Sequence, residues 1–148
     1  MMTNHRLLLL VAPILGFLLS GIKVASAEVL STGEEVSSFV TNKIADHDVM
    51  IFAKTYCPYC RRTKSTFIQL LSDLGMEQDD ISFNVIELDE QPADDGWMIQ
   101  NFLMDLTAQR TVPNVFIRGQ HIGGNDDVQK LMRDESLHDL VMPHVSEM

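Results

Sequence analysis

Apolar positions recur along this chain in two rhythms, and the alternation between them lays out its elements. Val36, Phe39, Val40 and Ile44 fall at the three-and-four spacing of one helix face, so Thr32 to about His47 is predicted as an amphipathic helix. Val49 to Ala53 is an unbroken apolar run, short enough for a buried strand. Helical spacing returns with Phe67, Leu70, Leu71 and Leu74, in a helix that starts near Pro58 and is closed by Gly75. Pro58 suits a first turn, where its missing N–H has no intrahelical partner to lose. Ser82 to Leu88 alternates, with Phe83, Val85 and Ile86 apolar, and reads as a second strand. Asp94-Asp95 opens a third helix with Ile99, Phe102, Leu103 and Leu106 on its apolar face.

Asn114 to Ile117, a turn at Arg118-Gly119, and Gln120 to Ile122 have the pattern of a short hairpin. Gly123-Gly124-Asn125 then leads into a helix from Asp126 to about Arg133, with Asn125 as its cap, and Ser136 to Met142 forms a last helix. No internal repeat, linker or low-complexity stretch interrupts this order. A βαβ unit followed by a ββα unit gives a four-stranded mixed sheet with helices on both faces, which is an α/β, thioredoxin-like fold.

The first 27 residues follow neither rhythm. A polar start carrying Arg6 precedes an almost wholly apolar run from Leu7 to Leu19, and Ala25-Ser26-Ala27 offers small residues at the positions a signal peptidase reads. No Asp or Glu occurs before Glu28, and a run this short falls below the ~20 residues of a comfortable membrane span. Residues 1–27 are therefore expected to be a secretory signal, with an uncleaved anchor as the alternative, and residues 28–148 the single domain. The expected destination is the secretory pathway (ER or Golgi lumen, or outside the cell), or an organelle reached through a bipartite leader. No membrane association is expected once the signal is removed.

Composition narrows the function. Of 148 residues, 45% are apolar and 22% charged, as in an ordinary globular domain. The net charge of −10 argues against nucleic acid and anionic membrane as partners. Loss of Arg6 and Lys23 with the signal leaves 9 of the 11 basic residues against 21 acidic, a formal −12. Against that background Lys54, Arg61, Arg62 and Lys64 gather around the only two cysteines, Cys57 and Cys60. For Arg62 and Lys64 a solvated helix face explains the letters equally well. Two cysteines cannot staple a small domain with several bridges, and no second Cys or His pair completes a zinc site, so no metal is expected. His121 and His138 have no partner spacing for a ligand or a base.

Two cysteines three positions apart, at the end of a strand and the start of a helix, suit redox chemistry. A thiol attacks only as its thiolate. Unpaired N–H groups, the positive end of the helix dipole and Lys54, Arg61 and Arg62 all favour the anion at Cys57. Cys60, one turn further in, is placed to attack a mixed disulfide formed on Cys57, so Cys57 reads as nucleophile and Cys60 as resolver. Pro113, before a strand in this architecture, stands where a cis bond leaves the Val112 backbone free to pair with a peptide-like substrate. The glycines of Gly123-Gly124-Asn125-Asp126-Asp127 permit close backbone approach. That helix start offers N–H groups to a carboxylate, and Asp127 can meet an ammonium, although a simple turn and cap explains the same letters.

Lys54-Thr55-Tyr56-Cys57-Pro58-Tyr59-Cys60, with Thr111-Val112-Pro113 and Gly123-Gly124-Asn125-Asp126-Asp127, closely resembles the dithiol glutaredoxins over about Glu34 to Val145. The C-P-Y-C centre separates that group from thioredoxins, with C-G-P-C, and disulfide isomerases, with C-G-H-C. The resemblance implies a glutathione-dependent thiol–disulfide oxidoreductase that acts on protein–glutathione mixed disulfides and protein disulfides. It further implies that Lys54, helped by Gln100 and Arg110, holds the glycine carboxylate of glutathione. Thr111 and Val112 beside cis-Pro113 would take the cysteinyl backbone; Gly124, Asp126 and Asp127 the γ-glutamyl end; and Tyr59 would flank the mixed disulfide. Ala108 and Gln109 stand where relatives often have Gly and Ala, with no consequence for the chemistry that the letters disclose. The implied partners are glutathione and disulfide-bearing client proteins, with the chain itself a monomer. An iron–sulfur binding module, disfavoured by Pro58, and a lumenal disulfide isomerase are the alternatives.

Overall fold

The computed structural model describes residues 29–76 and 80–142, so the signal segment expected at residues 1–27 and the tail after Met142 lie outside the described residues. Strands β1 (Val49–Ala53), β2 (Phe83–Glu87), β3 (Asn114–Ile117) and β4 (Gln120–Gly123) form one sheet in the order β2-β1-β3-β4. β1 runs parallel to β2 and antiparallel to β3, and β3 pairs antiparallel with β4. The mixed, thioredoxin-like sheet read from the pattern is the observed one.

All five residues of β1 are buried because both faces of the sheet are covered, and the period-two pleat divides them cleanly. Val49, Ile51 and Ala53 pack with Phe67 and Leu70 of helix α2 (Pro58–Asp73), Val128 of α4 (Asn125–Arg133), and Leu137 and Val141 of α5 (Ser136–Val141). Met50 and Phe52 face the other way, onto Val36, Val40 and Ile44 of α1 (Gly33–Asp46) and Ile99 and Leu103 of α3 (Asp95–Thr107). The helical spacing in the sequence thus marked true core faces, with one exception. Leu106, on the last turn of α3, is 50% exposed.

Local chemistry fixes the element ends. Thr32 caps α1 by accepting the Glu35 N–H at 3.2 Å, while Glu35 accepts the Thr32 N–H at 2.8 Å, a reciprocal capping box. Leu88 to Glu90 forms a 3₁₀ turn after β2, so that strand stops at Glu87, one residue before the end expected. Asp94 takes the cap position of α3. Asp95 is buried in the first turn and accepts the Leu30 N–H at 3.1 Å, tying the segment before α1 to α3. Gly96 lets α3 press against that 3₁₀ turn, since a Cβ there would overlap the Leu88 carbonyl.

Candidate active site

The site gathers at the C-terminal end of β1 and the neighbouring ends of β2, β3 and β4. Beyond Ala53 the chain turns through Lys54, Thr55 and Tyr56, with the Cys57 N–H donating back to the Lys54 carbonyl at 3.1 Å. The turn is gripped from two sides. Asp89 on the 3₁₀ turn accepts from the Thr55 N–H at 2.9 Å and also from its hydroxyl, while Arg61 donates to the Thr55 carbonyl at 3.3 Å. These bonds, the hydroxyl of Thr55 foremost, hold the Asp89 carboxyl below its usual range, and the Lys54 charge adds to the effect. Nothing in the sequence pattern singles out Asp89.

Cys57 occupies the cap position of α2, followed by Pro58 in the first turn, as expected. Its Sγ takes the role that a Ser or Asp oxygen fills at ordinary caps, accepting the Cys60 N–H at 3.3 Å. The same sulfur lies 3.8 Å from the Val112 carbonyl oxygen. Cys60 is wholly buried, facing the sheet with Phe67 and Val115. Burial pushes its thiol up to about 12, reinforced by the hydrogen bond with Cys57; a backbone hydrogen bond at Lys54 pulls the other way, and the charges of Cys57 and Glu87 add smaller upward pushes. Cys60 therefore keeps its proton at neutral pH and does not compete as an attacking thiolate. Both cysteines are free thiols.

The basic cluster read from the sequence divides in the structure. Arg61 and Arg62 are exposed on the first turns of α2, but Lys64 is drawn beneath the helix into an ion pair with Glu87 at the end of β2. Lys64 thus belongs to a half-buried pair and not to a cationic rim. The second oxygen of Glu87, Oε2, is buried without a hydrogen-bond partner among the described residues.

Beside Cys57 runs an open groove of ≈ 460 Å³ lined by Tyr59, Gln109, Thr111, Val112, Pro113, Gly124, Asn125, Asp126 and Asp127. One wall is the loop before β3, where the Val112–Pro113 peptide bond is cis, as expected. The opposite wall is the start of α4. Seven of the residues implied for glutathione (Tyr59, Thr111, Val112, Pro113, Gly124, Asp126 and Asp127) come together there. Lys54, Gln100 and Arg110 lie outside that lining. Gln100, on α3, donates its amide to the Arg110 carbonyl at 2.8 Å and so buttresses the loop from behind.

The start of α4 differs from the expected cap. Gly124, not Asn125, is the cap residue; Asn125 lies inside the first turn, 5% exposed, where its Oδ1 accepts from the buried Thr63 hydroxyl of α2 at 3.3 Å. The reason is packing: Asn125 is a polar link between α2 and α4, seconded by Gln129, which donates to the Thr66 hydroxyl at 2.8 Å. Capping passes to Asp127, whose Oδ2 accepts the Gly124 N–H at 2.9 Å. Gly123 makes this possible, because its φ of +124° suits glycine and a Cβ would overlap the Asp127 carboxylate. His121, on β4, packs tilted against the Phe116 ring with its Nε2 buried and without a partner among the described residues, and burial lowers its proton affinity against the opposing pull of Asp127.

Gln109 is a lining residue that nothing in the sequence pattern marks out. Its amide donates to the Thr111 carbonyl at 3.0 Å and to the Pro113 carbonyl at 2.8 Å. A bridge made by one side chain to carbonyls two and four residues on leaves no periodic signal.

Among the described residues no group of three or more His, Cys, Asp or Glu is arranged to hold a metal ion, and no helix is long and apolar enough to cross a membrane. The family model described as Glutaredoxin matches residues 49–122. Glutaredoxin-C8 of Oryza sativa subsp. japonica is 44% identical over 111 residues, 75% of each chain. Glutaredoxin-C1 of Arabidopsis thaliana is 40% identical over 123 residues, 83% of this chain and 86% of that one. The crystal structure of a buckwheat glutaredoxin–glutathione complex superposes with a TM-score of 0.64 at 38% identity, covering 74% of this chain and 89% of its own.

Proposed function

Given that this chain belongs to the glutaredoxin family of glutathione-dependent thiol–disulfide oxidoreductases, we propose that it reduces protein–glutathione mixed disulfides and protein disulfides through Cys57, with Cys60 resolving. The observation that carries this reading is the Cys57 sulfur at the cap of α2, met by the Cys60 N–H and lying 3.8 Å from the carbonyl oxygen of Val112, which lines the adjoining groove.

The Cys57 thiolate attacks the glutathione sulfur of the mixed disulfide. A bond forms between the two sulfurs, and the client thiolate leaves and takes a proton. A second glutathione then attacks the Cys57 adduct, giving glutathione disulfide and the starting enzyme. With a protein disulfide, Cys57 is joined to the client instead. Cys60 then attacks the Cys57 sulfur, its proton passes to the departing client thiolate, and the Cys57–Cys60 disulfide so formed is returned to the dithiol by two glutathiones, which leave as glutathione disulfide. Because Cys60 is buried and holds its proton tightly, the glutathione route needs only Cys57, and Cys60 serves the second route.

Glutathione carries two carboxylates and one ammonium. The proposed match sets Lys54, with Gln100 and Arg110, toward the glycine carboxylate. Thr111, Val112 and Pro113 meet the cysteinyl backbone, and Gly124, Asp126 and Asp127 the γ-glutamyl end, with Tyr59 over the mixed disulfide. The exposed rings of Tyr56 and Tyr59 on either side of Cys57 suit contact with a client surface. A coupled assay of mixed-disulfide reduction on wild type, Cys57→Ser and Cys60→Ser tests the assignment. Cys57→Ser abolishes turnover and Cys60→Ser retains much of it; equal losses in both would overturn the division of labour.

We also propose that residues 1–27 direct the chain into the secretory route and are then removed. Family potentials of roughly −200 to −230 mV lie close to the ER poise of about −180 to −210 mV, so the direction of reaction there follows the compartment. N-terminal sequencing of the protein recovered from cells checks this, with a start near Glu28 expected and a start at Met1 contrary to it.

A further inference from the structure

We propose that Gln109 is a positioning residue for the glutathione groove: its amide fixes the peptide plane that enters Val112 and the one that leaves Pro113, and so aims the Val112 backbone at the bound peptide. The inference rests on the reading of this groove as the glutathione site.

Gln109 is itself a held arm. Ala108 closes α3 in the left-handed region at φ 59°, which turns the chain sharply away from the helix axis. The Gln109 N–H then donates to the Thr107 hydroxyl at 3.2 Å, and that hydroxyl donates to the Leu103 carbonyl of the buried last turns at 2.7 Å. The side chain that extends from this anchor uses Nε2 twice, on the carbonyls of Thr111 and Pro113. An amide nitrogen has two hydrogens, so its donor capacity is spent on these two oxygens.

The consequence follows from peptide planarity. The Thr111 carbonyl shares a rigid plane with the Val112 N–H, and in a trans peptide the two point in opposite directions. Holding that oxygen holds the direction of the Val112 donor. The carbonyl of Val112 faces the Cys57 sulfur, and the carbonyl after Pro113 is again held by Gln109. The three successive carbonyls are thus oriented by two side chains, Gln109 and Cys57. Gln109 Nε2 also reaches to the opposite wall, 3.7 Å from where a Cβ on Gly124 would stand. A peptide pairing with Val112 meets a docking edge already ordered, and less ordering remains to be done on binding.

The test compares Gln109→Ala and the isosteric Gln109→Glu, which cannot donate, with Asp126→Ala as a probe of the groove itself. KM for a glutathionylated peptide, kcat, Cys57 alkylation rate and melting temperature are measured on each. We expect KM to rise about three- to tenfold in both Gln109 variants, the loss of one or two neutral hydrogen bonds, with kcat and Cys57 alkylation within about twofold of wild type. A wild-type KM in Gln109→Glu would overturn the proposal, since shape alone would then suffice. Unchanged KM in both Gln109 variants, with a raised KM in Asp126→Ala, would overturn it while leaving the groove reading intact. If none of the three moves KM, the groove reading fails and the proposal with it.

Discussion

Replacing Cys57 by Ser leaves Cys60 as the only thiol and isolates the effect of its burial. In the intact protein the Cys60 thiol is pushed from 9.0 to about 12, which lowers its thiolate fraction at neutral pH about a thousandfold against a free cysteine. A thiol of higher proton affinity is also the better nucleophile, with a Brønsted slope of ~0.4–0.5. That recovers a factor of roughly 20 to 30 and leaves a net deficit of about 30- to 60-fold. Cys57→Ser removes the smaller contributions, the hydrogen bond and the neighbouring charge, while burial, the largest, remains. Iodoacetamide labelling of Cys57→Ser at pH 7.5, followed by intact-mass spectrometry with and without urea, reads the difference. The native protein should label at least about tenfold more slowly than the unfolded chain. Equal rates would refute the reasoning, because they would show Cys60 ionised and reachable without any opening of the core. The same group sets a pH limit. Its folded-state value lies above the unfolded one, so the folded state holds the proton longer. Reduced wild type should therefore lose stability as pH rises from about 9 towards 12, a loss that Cys60→Ser removes.

Phe67→Ala should cost about 3–5 kcal/mol in urea denaturation, since the ring is wholly buried between α2 and the sheet. A cost below about 1 kcal/mol would deny it that place in the core. Gly123→Ala should raise KM for the glutathionylated substrate more than it lowers kcat, because its Cβ displaces Asp127 from the Gly124 N–H. Steady-state kinetics separate the two parameters. The proton affinity of His121 is lowered by burial, so the unfolded chain takes that proton first. Stability should fall as pH drops through about 6.5, and His121→Phe should flatten that limb in thermal melts.

What the sequence disclosed and what it hid divide along a physical line. β1 was legible because five apolar residues in a row have no other stable use at that length, and α2 because its apolar spacing begins at a proline that tolerates only a first turn. Pro113 and Gly123 were legible because each holds a backbone state that few other residues accept, and Cys57 because its partner cysteine follows one helical turn later. The supports were not. Asp89 on the Thr55 turn, Gln109 across Val112, Asp95 on Leu30 and Glu87 under Lys64 act over long sequence separations or through one side chain's reach, and no period carries them. Asn125 was misjudged for a related reason. Its residue type suits a cap, but its actual partner, Thr63, lies on another helix, and an Asp two positions later took over the cap. Lys64 looked like part of an active-site charge cluster until a carboxylate from β2 claimed it.

Rapid-quench trapping with a substrate whose glutathione is isotopically labelled bears most directly on the nucleophile. The label should reach the Cys57-containing peptide as fast as it leaves the substrate, before any glutathione disulfide forms, and at an undiminished rate in Cys60→Ser. Glutathione disulfide forming with no label on Cys57, or label arriving first on Cys60, would contradict the account.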